Sequence, residues 1–468
     1  MSTAEKVGSD RHSDKLYGTH PSFKTKLRHR KLGYLLHRNR RRPEGLREAP
    51  EVFVLDVEPG VTPSEKPPVR IYLGTETSQH RAERIFIWSI SQVRDPARRY
   101  EIYMMKHLRG YDRRGWKTSF TNYRYAIPAL AGKTGRAIYN DVDQIYKGDP
   151  AELFDMDMGG AGVLGINERE TSVMLIDCAR MAEVWKLEDA QIGKEGGKNH
   201  KYFRALAHDN KLWGKMSGIW NARDWEYLEG ESKLLHYTTL QTQPWRPFPK
   251  ELHYHDSPEG EVWFALERAA DKAGFTVFTA ANPSKAYSAY LAAARQGRAG
   301  RDEATRLAAL KDHGDPIAKL LVERRGSSIL DFGIGRSGGG TASQGPGALP
   351  ALQSATLNLA DPVQSDDLLG NANAYDAVVA LGSLDDIPEE DVPWVLDRLF
   401  GWAEKFVYVS SAFGSAEGEA ANRDANWWRE EMEGAARRRV AQGLPKVDWV
   451  LHLQKGPRRS LADKVLRG

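Results

Sequence analysis

Hydrophobic positions along the chain divide it into three zones that differ in spacing. Residues 1–68 are polar and dotted with proline, and they end in "TPSEKPPVR", a composition typical of a linker. From residue 69 to about 275, apolar runs of strand length alternate with segments of helical spacing, and a second such series begins near residue 282. We therefore predict a basic, partly flexible N-terminal extension (1–68), a first domain (69–275) and a second domain (282–468).

Both predicted domains alternate strands with helices. In the first, strands are predicted at "VRIYLG", "YEIYMM", "GRAIYN", "GAGVLGI" and "SVMLID", and helices at "AERIFIWSISQV" and "FTNYRYAIPALAG". This alternation favours an α/β fold with a mostly parallel sheet covered by helices. In the second, the strands are "SSILDFGIG", "ATLNLADP", "AYDAVVALGSL" and "FVYVSSA", which indicates another doubly wound sheet.

Composition limits the class of protein. An apolar content of 41% suits packed domains rather than disorder. The single cysteine, Cys178, excludes an intramolecular disulfide and makes a reducing, cytoplasmic location the default expectation. No run approaches the ~18 apolar residues of a membrane span. We expect a soluble protein, or one peripheral at the inner face of a membrane.

Positive charge is concentrated near the N-terminus. Residues 15–43 carry ten lysines and arginines and no acid, so the rest of the chain is net acidic, with 57 basic against 63 acidic residues. Such an arm suits an anionic membrane surface or nucleic acid, and a merely solvated extension is an equal alternative. Because no recognised nucleic-acid module follows the arm, we expect no nucleic-acid partner.

Two aspartates follow one predicted strand closely. In "AIYNDVDQIYKGDPAELF" (137–154), Asp141 and Asp143 lie one residue apart, and two such carboxylates repel unless a cation or solvent separates them. Ligands of open α/β sheets bind at the carboxyl ends of strands, and a hard divalent cation takes oxygen ligands beside substrate phosphates. The pair is a candidate binding site for the metal ion of a metal–nucleotide diphosphate. D-x-D pairs also arise by chance, and Asp155 and Asp157 form a second one.

The context of this pair resembles a known family. "RAIYNDVDQIYKGDPAELF" is similar to the metal-binding segment of glycosyltransferase family 8 and its relatives with the GT-A fold. Further segments follow in the family's order over residues 69–250: "VRIYLGTETSQHRAERIFIWSI", "FTNYRYAIPAL", "TSVMLIDCARMAEVW", "GIWNA" and "LLHYTTLQTQPW". The resemblance implies transfer of a sugar, with retention of anomeric configuration, from a nucleotide sugar to a glycan or lipid-linked acceptor. A UDP-sugar is the first candidate donor, and Mn2+ or Mg2+ is the implied cofactor.

The resemblance also implies roles for individual residues. The implied metal ligands are Asp141, Asp143 and His236, and the implied donor-binding residues are Gly74, Glu76, Arg124 and Trp245. A lone histidine beside aromatic residues is often a packed core residue, so a purely structural role for His236 is the alternative.

This sequence departs from the family pattern at several positions. Glu76 and Thr77 stand where the family has an aspartate and a polar neighbour. Gln243 precedes Pro244 where the family has a lysine, so that phosphate-binding cation is missing, with Arg246 as one possible substitute. The pattern identifies no catalytic residue facing the anomeric carbon.

The second domain resembles class I S-adenosylmethionine-dependent methyltransferases, which have a Rossmann-like fold. The resemblance rests on "SSILDFGIGRSGG", "LNLADPV" and "YDAVVALGSLDDIP" and implies S-adenosylmethionine at Asp331, Gly333, Gly335 and Asp361. Two departures leave an alternative open, namely a catalytically inactive or purely structural domain. They are the insert "SGGGTASQGPGALP" and the segment "GSLDDIP", which lacks the family's histidine.

Three hypotheses for the whole chain follow from these resemblances. The first is a glycosyltransferase with an appended methyltransferase-like domain. The second is a methyltransferase whose N-terminal domain only binds nucleotide or saccharide. The third is a non-catalytic, membrane-docked scaffold.

Overall fold

A computed structural model describes most of the chain. The described residues are 45–116, 118–250, 252–299, 303–333, 352, 356–360, 374–413 and 423–455. The basic arm (15–43), Gly335 and Asp361 lie outside them, so the predictions for these positions stay predictions.

The chain divides into two compact units, Met1–Ala270 and Asp271–Gly468. Strands of the first unit are β1 (Glu51–Leu55), β2 (Val69–Gly74), β3 (Tyr100–Met105), β4 (Arg136–Asp141), β5 (Gln144–Tyr146), β6 (Val163–Gly165), β7 (Val173–Asp177), β8 (Trp213–Lys215), β9 (Ala222–Arg223) and β10 (Leu234–His236). One sheet has the order β1-β3-β2-β4-β7-β6-β8, and a three-stranded sheet has the order β5-β10-β9.

The prediction of a mostly parallel sheet is confirmed only in part for this unit, because its larger sheet is mixed. Strands β3, β2 and β4 run parallel, as do β6 and β8, but β1 pairs antiparallel with β3, and β7 pairs antiparallel with both β4 and β6. The three parallel pairs are separated along the chain by long segments, as a parallel pair requires. Strand direction depends on such connections, which hydrophobic periodicity does not specify.

Ordered structure begins before the predicted start of the first domain. Strand β1 lies within residues 1–68, which we assigned to the extension, and it forms five residue pairs with β3, from Glu51↔Met104 to Leu55↔Tyr100. Its buried positions alternate, as expected of an edge strand with one covered face.

Helices of the first unit are α1 (His80–Val93), α2 (Ile127–Leu130), α3 (Pro150–Phe154), α4 (Cys178–Met181), α5 (Leu187–Ile192), α6 (His200–Asp209) and α7 (Gly260–Lys272), of which α7 extends two residues beyond Ala270. Helix α1 buries Ala82, Phe86 and Ile90, the i, i+4, i+8 stripe that its sequence predicts. Helix α3 begins at the "GDP" turn because the Asp149 side chain accepts a hydrogen bond from the Ala151 amide and proline suits the first helical position.

The second unit contains strands β11 (Ser328–Phe332), β12 (Thr356–Ala360), β13 (Tyr375–Leu381), β14 (Ala403–Phe413) and β15 (Asp448–Lys455), with helices α8 (Lys285–Arg295), α9 (Glu303–Glu323), α10 (Val392–Trp402) and α11 (Ala425–Ala441). Its sheet order is β12-β11-β13-β14-β15, and every described pair is parallel. This is the doubly wound order 2-1-3-4-5, in which ligands bind where the strand order reverses, between β11 and β13.

A single carboxylate links three strands of this sheet at their amino ends. Asp376 accepts hydrogen bonds from the amides of Ser327 and Ser328 at 2.7 and 3.1 Å and lies 2.7 Å from the Lys405 ammonium. Burial by itself would raise the pKa of Asp376, but Lys405 and the two amides outweigh it and lower this pKa to about 2. The ionised carboxylate therefore stabilises the start of β11, β13 and β14.

Within the described ranges, no helix is both long enough and apolar enough to cross a membrane.

Candidate metal site

The larger sheet delivers the aspartate pair to its carboxyl edge. Asp141 is the last residue of β4 and pairs with Gly74, the last residue of β2. The chain then reverses into β5, and the Val142 amide donates to the Gly74 carbonyl at 3.1 Å. Asp143 therefore lies in the tight connection between β4 and β5, beside the end of β2.

The smaller sheet brings His236 to the same place from almost a hundred residues downstream. Strand β10 pairs antiparallel with β5, with His236 opposite Gln144, and the Tyr237 amide donates to the Asp143 carbonyl at 2.8 Å. One ligand atom each from Asp141, Asp143 and His236 lies within 4.8 Å of the other two. The three predicted metal ligands are thus brought together.

The atoms of this cluster fit a divalent cation. His236 Nε2 lies 3.1 Å from Asp143 Oδ1. Asp143 Oδ1 is buried, and apart from this imidazole the described part of the chain gives it no hydrogen-bond partner. When the imidazole is neutral, this buried carboxylate oxygen requires a cation in place of the proton. Two carboxylates and an imidazole form a donor set that suits Mn2+ or Mg2+ beside phosphate oxygens.

Asn221 determines which nitrogen of His236 faces the carboxylates. His236 Nδ1 lies 2.7 Å from Asn221 Oδ1, and the Asn221 Nδ2 donates to Ser172 Oγ at 3.3 Å, which identifies Oδ1 as the acceptor. Nδ1 therefore carries the proton, and Nε2 is the atom that a cation can use once the imidazole is neutral. This is the outer contact by which proteins orient a metal-binding histidine.

Asp141 is held by a buried arginine and a tyrosine. Arg124 Nη2 donates to Asp141 Oδ1 at 2.8 Å, and the Tyr139 hydroxyl donates to the same oxygen at 2.5 Å. Arg124 also donates to the carbonyls of Thr121 and Thr171, at 3.0 and 2.6 Å. The arginine that the resemblance places beside a diphosphate thus binds Asp141 in this structure, and its phosphate contact stays a prediction.

The electrostatics of the cluster follow from its burial. Burial raises the pKa of Asp141 to about 6; the Arg124 guanidinium opposes this rise and the Asp143 carboxylate adds to it. Burial would lower the pKa of His236, but the carboxylates around it, Asp143 foremost, raise this pKa to about 9. At neutral pH the imidazolium and the Arg124 guanidinium together balance the two acids, and a bound cation would replace the proton of the imidazolium.

The second D-x-D pair has a structural explanation. Asp155 forms ion pairs with Arg98 at 2.6 Å and Lys66 at 2.9 Å, which lower its pKa. Asp157 is exposed and accepts a hydrogen bond from the Gly159 amide at 2.9 Å. Neither belongs to the cluster of Asp141.

The remaining predicted donor-binding residues lie near the strand ends in different environments. Gly74 is packed so closely that a side chain there would collide with the Tyr139 hydroxyl. Glu76 accepts hydrogen bonds from the amide and the hydroxyl of Ser119, at 3.0 and 2.6 Å. The Trp245 indole is buried and donates to Gln79 Oε1 at 2.6 Å. Their contact with a donor stays a prediction.

Sequence reasoning gave no role to the polar residues that support the cluster. Asn221, Tyr139 and Gln243 contact His236, Asp141 and Asp143 respectively. The "GIWNA" segment signalled Asn221 without showing what it binds. Arg246, the suggested substitute cation, is exposed and lies 3.3 Å from Asp256.

In the second unit, Asp331 lies at the end of β11 as predicted, but it is buried and paired with Arg306 of α9 at 2.5 Å. Gly333 follows β11 directly. A role for these residues in binding S-adenosylmethionine stays a prediction.

Comparison with known proteins bears on the first unit. The family model for glycosyl transferase family 8 matches residues 60–245, so this region is similar to the glycosyltransferases of that family. The match covers the whole cluster of Asp141, Asp143 and His236 and, with the α/β sheet described above, supports the GT-A fold predicted for this region. No curated protein sequence matches the chain.

Several solved structures resemble the chain at low identity. The bifunctional glycosyltransferase WbbM is 12% identical over 44% of this chain and 53% of its own, with a TM-score of 0.30, so the chain spans about half of that structure. The galactosyltransferase LgtC, in complex with donor and acceptor sugar analogues, is 11% identical over 42% and 95%, with a TM-score of 0.28. The glycosyltransferase GlyE of Streptococcus pneumoniae TIGR4 is 13% identical over 74% and 91%, with a TM-score of 0.31.

Proposed function

We propose that the first unit is a metal-dependent glycosyltransferase that moves a sugar from a nucleotide sugar to a glycan or lipid-linked acceptor. The observation that carries the proposal is the cluster of Asp141, Asp143 and His236 inside the region that is similar to glycosyltransferase family 8. A UDP-sugar is the first candidate donor, and retention of anomeric configuration is part of the proposal, as the family resemblance implies.

Asp141, Asp143 and His236 would hold the cation, Mn2+ or Mg2+. A divalent cation at this place stabilises negative charge on a departing diphosphate as a Lewis acid. The chain supplies the support: Asn221 keeps the proton of His236 on Nδ1, and Arg124 keeps Asp141 in position. Because these side chains are buried and held by several hydrogen bonds, the site requires little reorganisation when the donor binds.

The charge balance of the site supports a cation of charge two. The two aspartates carry two negative charges, Arg124 neutralises one of them through its ion pair, and a neutral His236 adds none. A divalent cation converts this net negative site into a positive one, which can then accept a diphosphate. Without the cation, His236 is protonated and the site is close to neutral, so it attracts a diphosphate less strongly.

Turnover of nucleotide sugars tests the proposal. We expect the purified chain to hydrolyse or transfer from at least one of a panel of nucleotide sugars with Mn2+ or Mg2+, and to stop when EDTA removes the metal. Asp143→Asn should lower turnover by at least about 100-fold, because it replaces an anionic metal ligand with a neutral, weaker one of nearly the same volume. Asp157→Asn, in the exposed second D-x-D pair, is the matched control and should retain wild-type turnover. Metal-independent turnover, or equal rates for the two variants, would contradict the site.

For the second unit we propose a binding site for S-adenosylmethionine where the strand order reverses. The parallel 2-1-3-4-5 sheet, with Gly333 at the end of β11, supports a ligand site there. Calorimetry with S-adenosylmethionine is the test. If S-adenosylmethionine does not bind, we would assign this unit a structural role. The alternative that the chain is principally a methyltransferase would then be excluded.

The scaffold alternative makes a separate prediction about the arm. If residues 15–43 dock the protein to anionic lipid, deletion of residues 1–43 should abolish sedimentation with phosphatidylserine vesicles while nucleotide-sugar turnover is retained. Turnover of any donor would exclude a purely non-catalytic scaffold.

A further inference from the structure

The amide of Gln243 lies against the metal cluster, in the position where the family resemblance would place a phosphate-binding lysine. Its Nε2 donates to Asp143 Oδ2 at 3.1 Å and to the Tyr237 carbonyl at 3.0 Å. Both neighbours are acceptors, so the amide nitrogen has to face them and the orientation of the amide is determined. The side chain is 1% exposed.

Local sequence explains why this side chain points inward. Gln243 follows a 3-10 turn, Leu240–Thr242, and precedes Pro244. A residue before proline is restricted to extended conformations, and Gln243 has φ −60° and ψ 122°. Next to it, Pro244 and Trp245 are buried, which fixes the backbone from which the amide reaches Asp143.

The oxygen atom of the Gln243 amide is in a different situation from the nitrogen atom. Gln243 Oε1 is buried, and no described residue donates a hydrogen bond to it. Asp143 Oδ1, on the carboxylate that Gln243 contacts, faces His236 Nε2 at 3.1 Å, a nitrogen that donates no hydrogen bond once the imidazole is neutral. A buried amide oxygen without a donor is costly in a folded chain, so Gln243 Oε1 is suited to accept a hydrogen bond from a ligand of this site.

We propose that Gln243 is a positioning residue for the cation site, and that its Oε1 accepts a hydrogen bond from a water molecule bound to the cation. Through Nε2, the amide leaves Asp143 Oδ1 free for the metal by occupying Oδ2. The inference rests on the proposed function only for the presence of a divalent cation.

Metal binding itself, measured without a sugar donor, tests this role. We expect Gln243→Met, which keeps the side-chain volume and removes the amide, to weaken Mn2+ binding to the full chain by about 10–100-fold in calorimetry. Gln144→Met is the matched control, because Gln144 is an equally buried amide whose hydrogen bonds go to Asn140 and the Ser172 carbonyl rather than to a metal ligand. It should melt at a lower temperature and retain the wild-type affinity for Mn2+.

A second variant keeps the test decisive if Gln243→Met does not fold. Gln243→Asn retains an amide that is one methylene too short to reach Asp143, so it should show the same loss of Mn2+ affinity. Equal Mn2+ affinity of wild type and a folded Gln243 variant would overturn the proposal, as would absence of Mn2+ binding to the wild type. Failure of the proposed function is seen separately, as absence of nucleotide-sugar turnover by a chain that binds Mn2+.

Discussion

Replacing Arg124 by methionine would remove the buried cation that neutralises Asp141. The guanidinium is about 5% exposed, lies 2.8 Å from Asp141 and 4.4 Å over the ring of Tyr139, and donates to two backbone carbonyls. Breaking a buried ion pair costs about 3–5 kcal/mol, because the remaining charge loses its partner and cannot return to water. We expect a loss of this size in the free energy of unfolding of the first unit.

Calorimetry of the metal-free protein measures this loss as a lowered melting temperature, by roughly 6–20 °C for a unit of this size. Arg246→Met is the matched control: this arginine is exposed and its partner Asp256 is almost fully exposed, so the change should stay within about 0.5 kcal/mol. The double variant Arg124→Met, Asp141→Asn should lose less than the sum of the two single variants, with a coupling of about 1–3 kcal/mol. Additive losses would refute the reasoning.

Three further predictions concern the surrounding residues. Asn221→Ala should weaken Mn2+ binding by about 10–100-fold in calorimetry, because His236 loses the acceptor that keeps its proton on Nδ1. Gly74→Ala should destabilise the first unit by about 1–3 kcal/mol in thermal melts, since its Cβ would collide with the Tyr139 hydroxyl that binds Asp141. The ionised Asp376 stabilises the second unit above its unfolded pKa of about 4, and this contribution is lost as pH falls through about 2; Asp376→Asn should remove that part of the acid transition in circular dichroism.

Sequence reasoning located the centre of the candidate site because its elements are local. The short run of residues 137–139 before Asn140 is apolar, and the residues that follow a buried strand in an α/β pattern lie at a ligand-binding edge. The placement of His236 came from the family resemblance alone, because no local signal connects it to a carboxylate 93 positions earlier. The structure supplies that connection through the pairing of β10 with β5.

Features that depend on long-range contacts were not predictable in this way. The family pattern drew attention to "GIWNA" and to the glutamine before Pro244, but the contacts of their amides with His236 and Asp143 are visible only in the structure. Edge strand β1 was not predicted, because the proline-rich sequence around it indicated a linker. Its pairing partner lies some fifty residues away along the chain. Side-chain direction and strand direction are both set by tertiary packing rather than by periodicity.

The departure at Gln243 has a consequence for how the leaving group would be stabilised. In the proposed reaction, negative charge grows on the diphosphate as the sugar leaves, and every positive charge near it lowers the barrier. Arg124 is already engaged by Asp141, and Gln243 contributes an amide to Asp143 instead of an ammonium to phosphate. The cation then provides a larger share of the stabilisation than in a site that also has a lysine. For that reason we expect the rate of turnover to change steeply with the identity and the concentration of the metal. The affinity for the donor should change less with the same two variables.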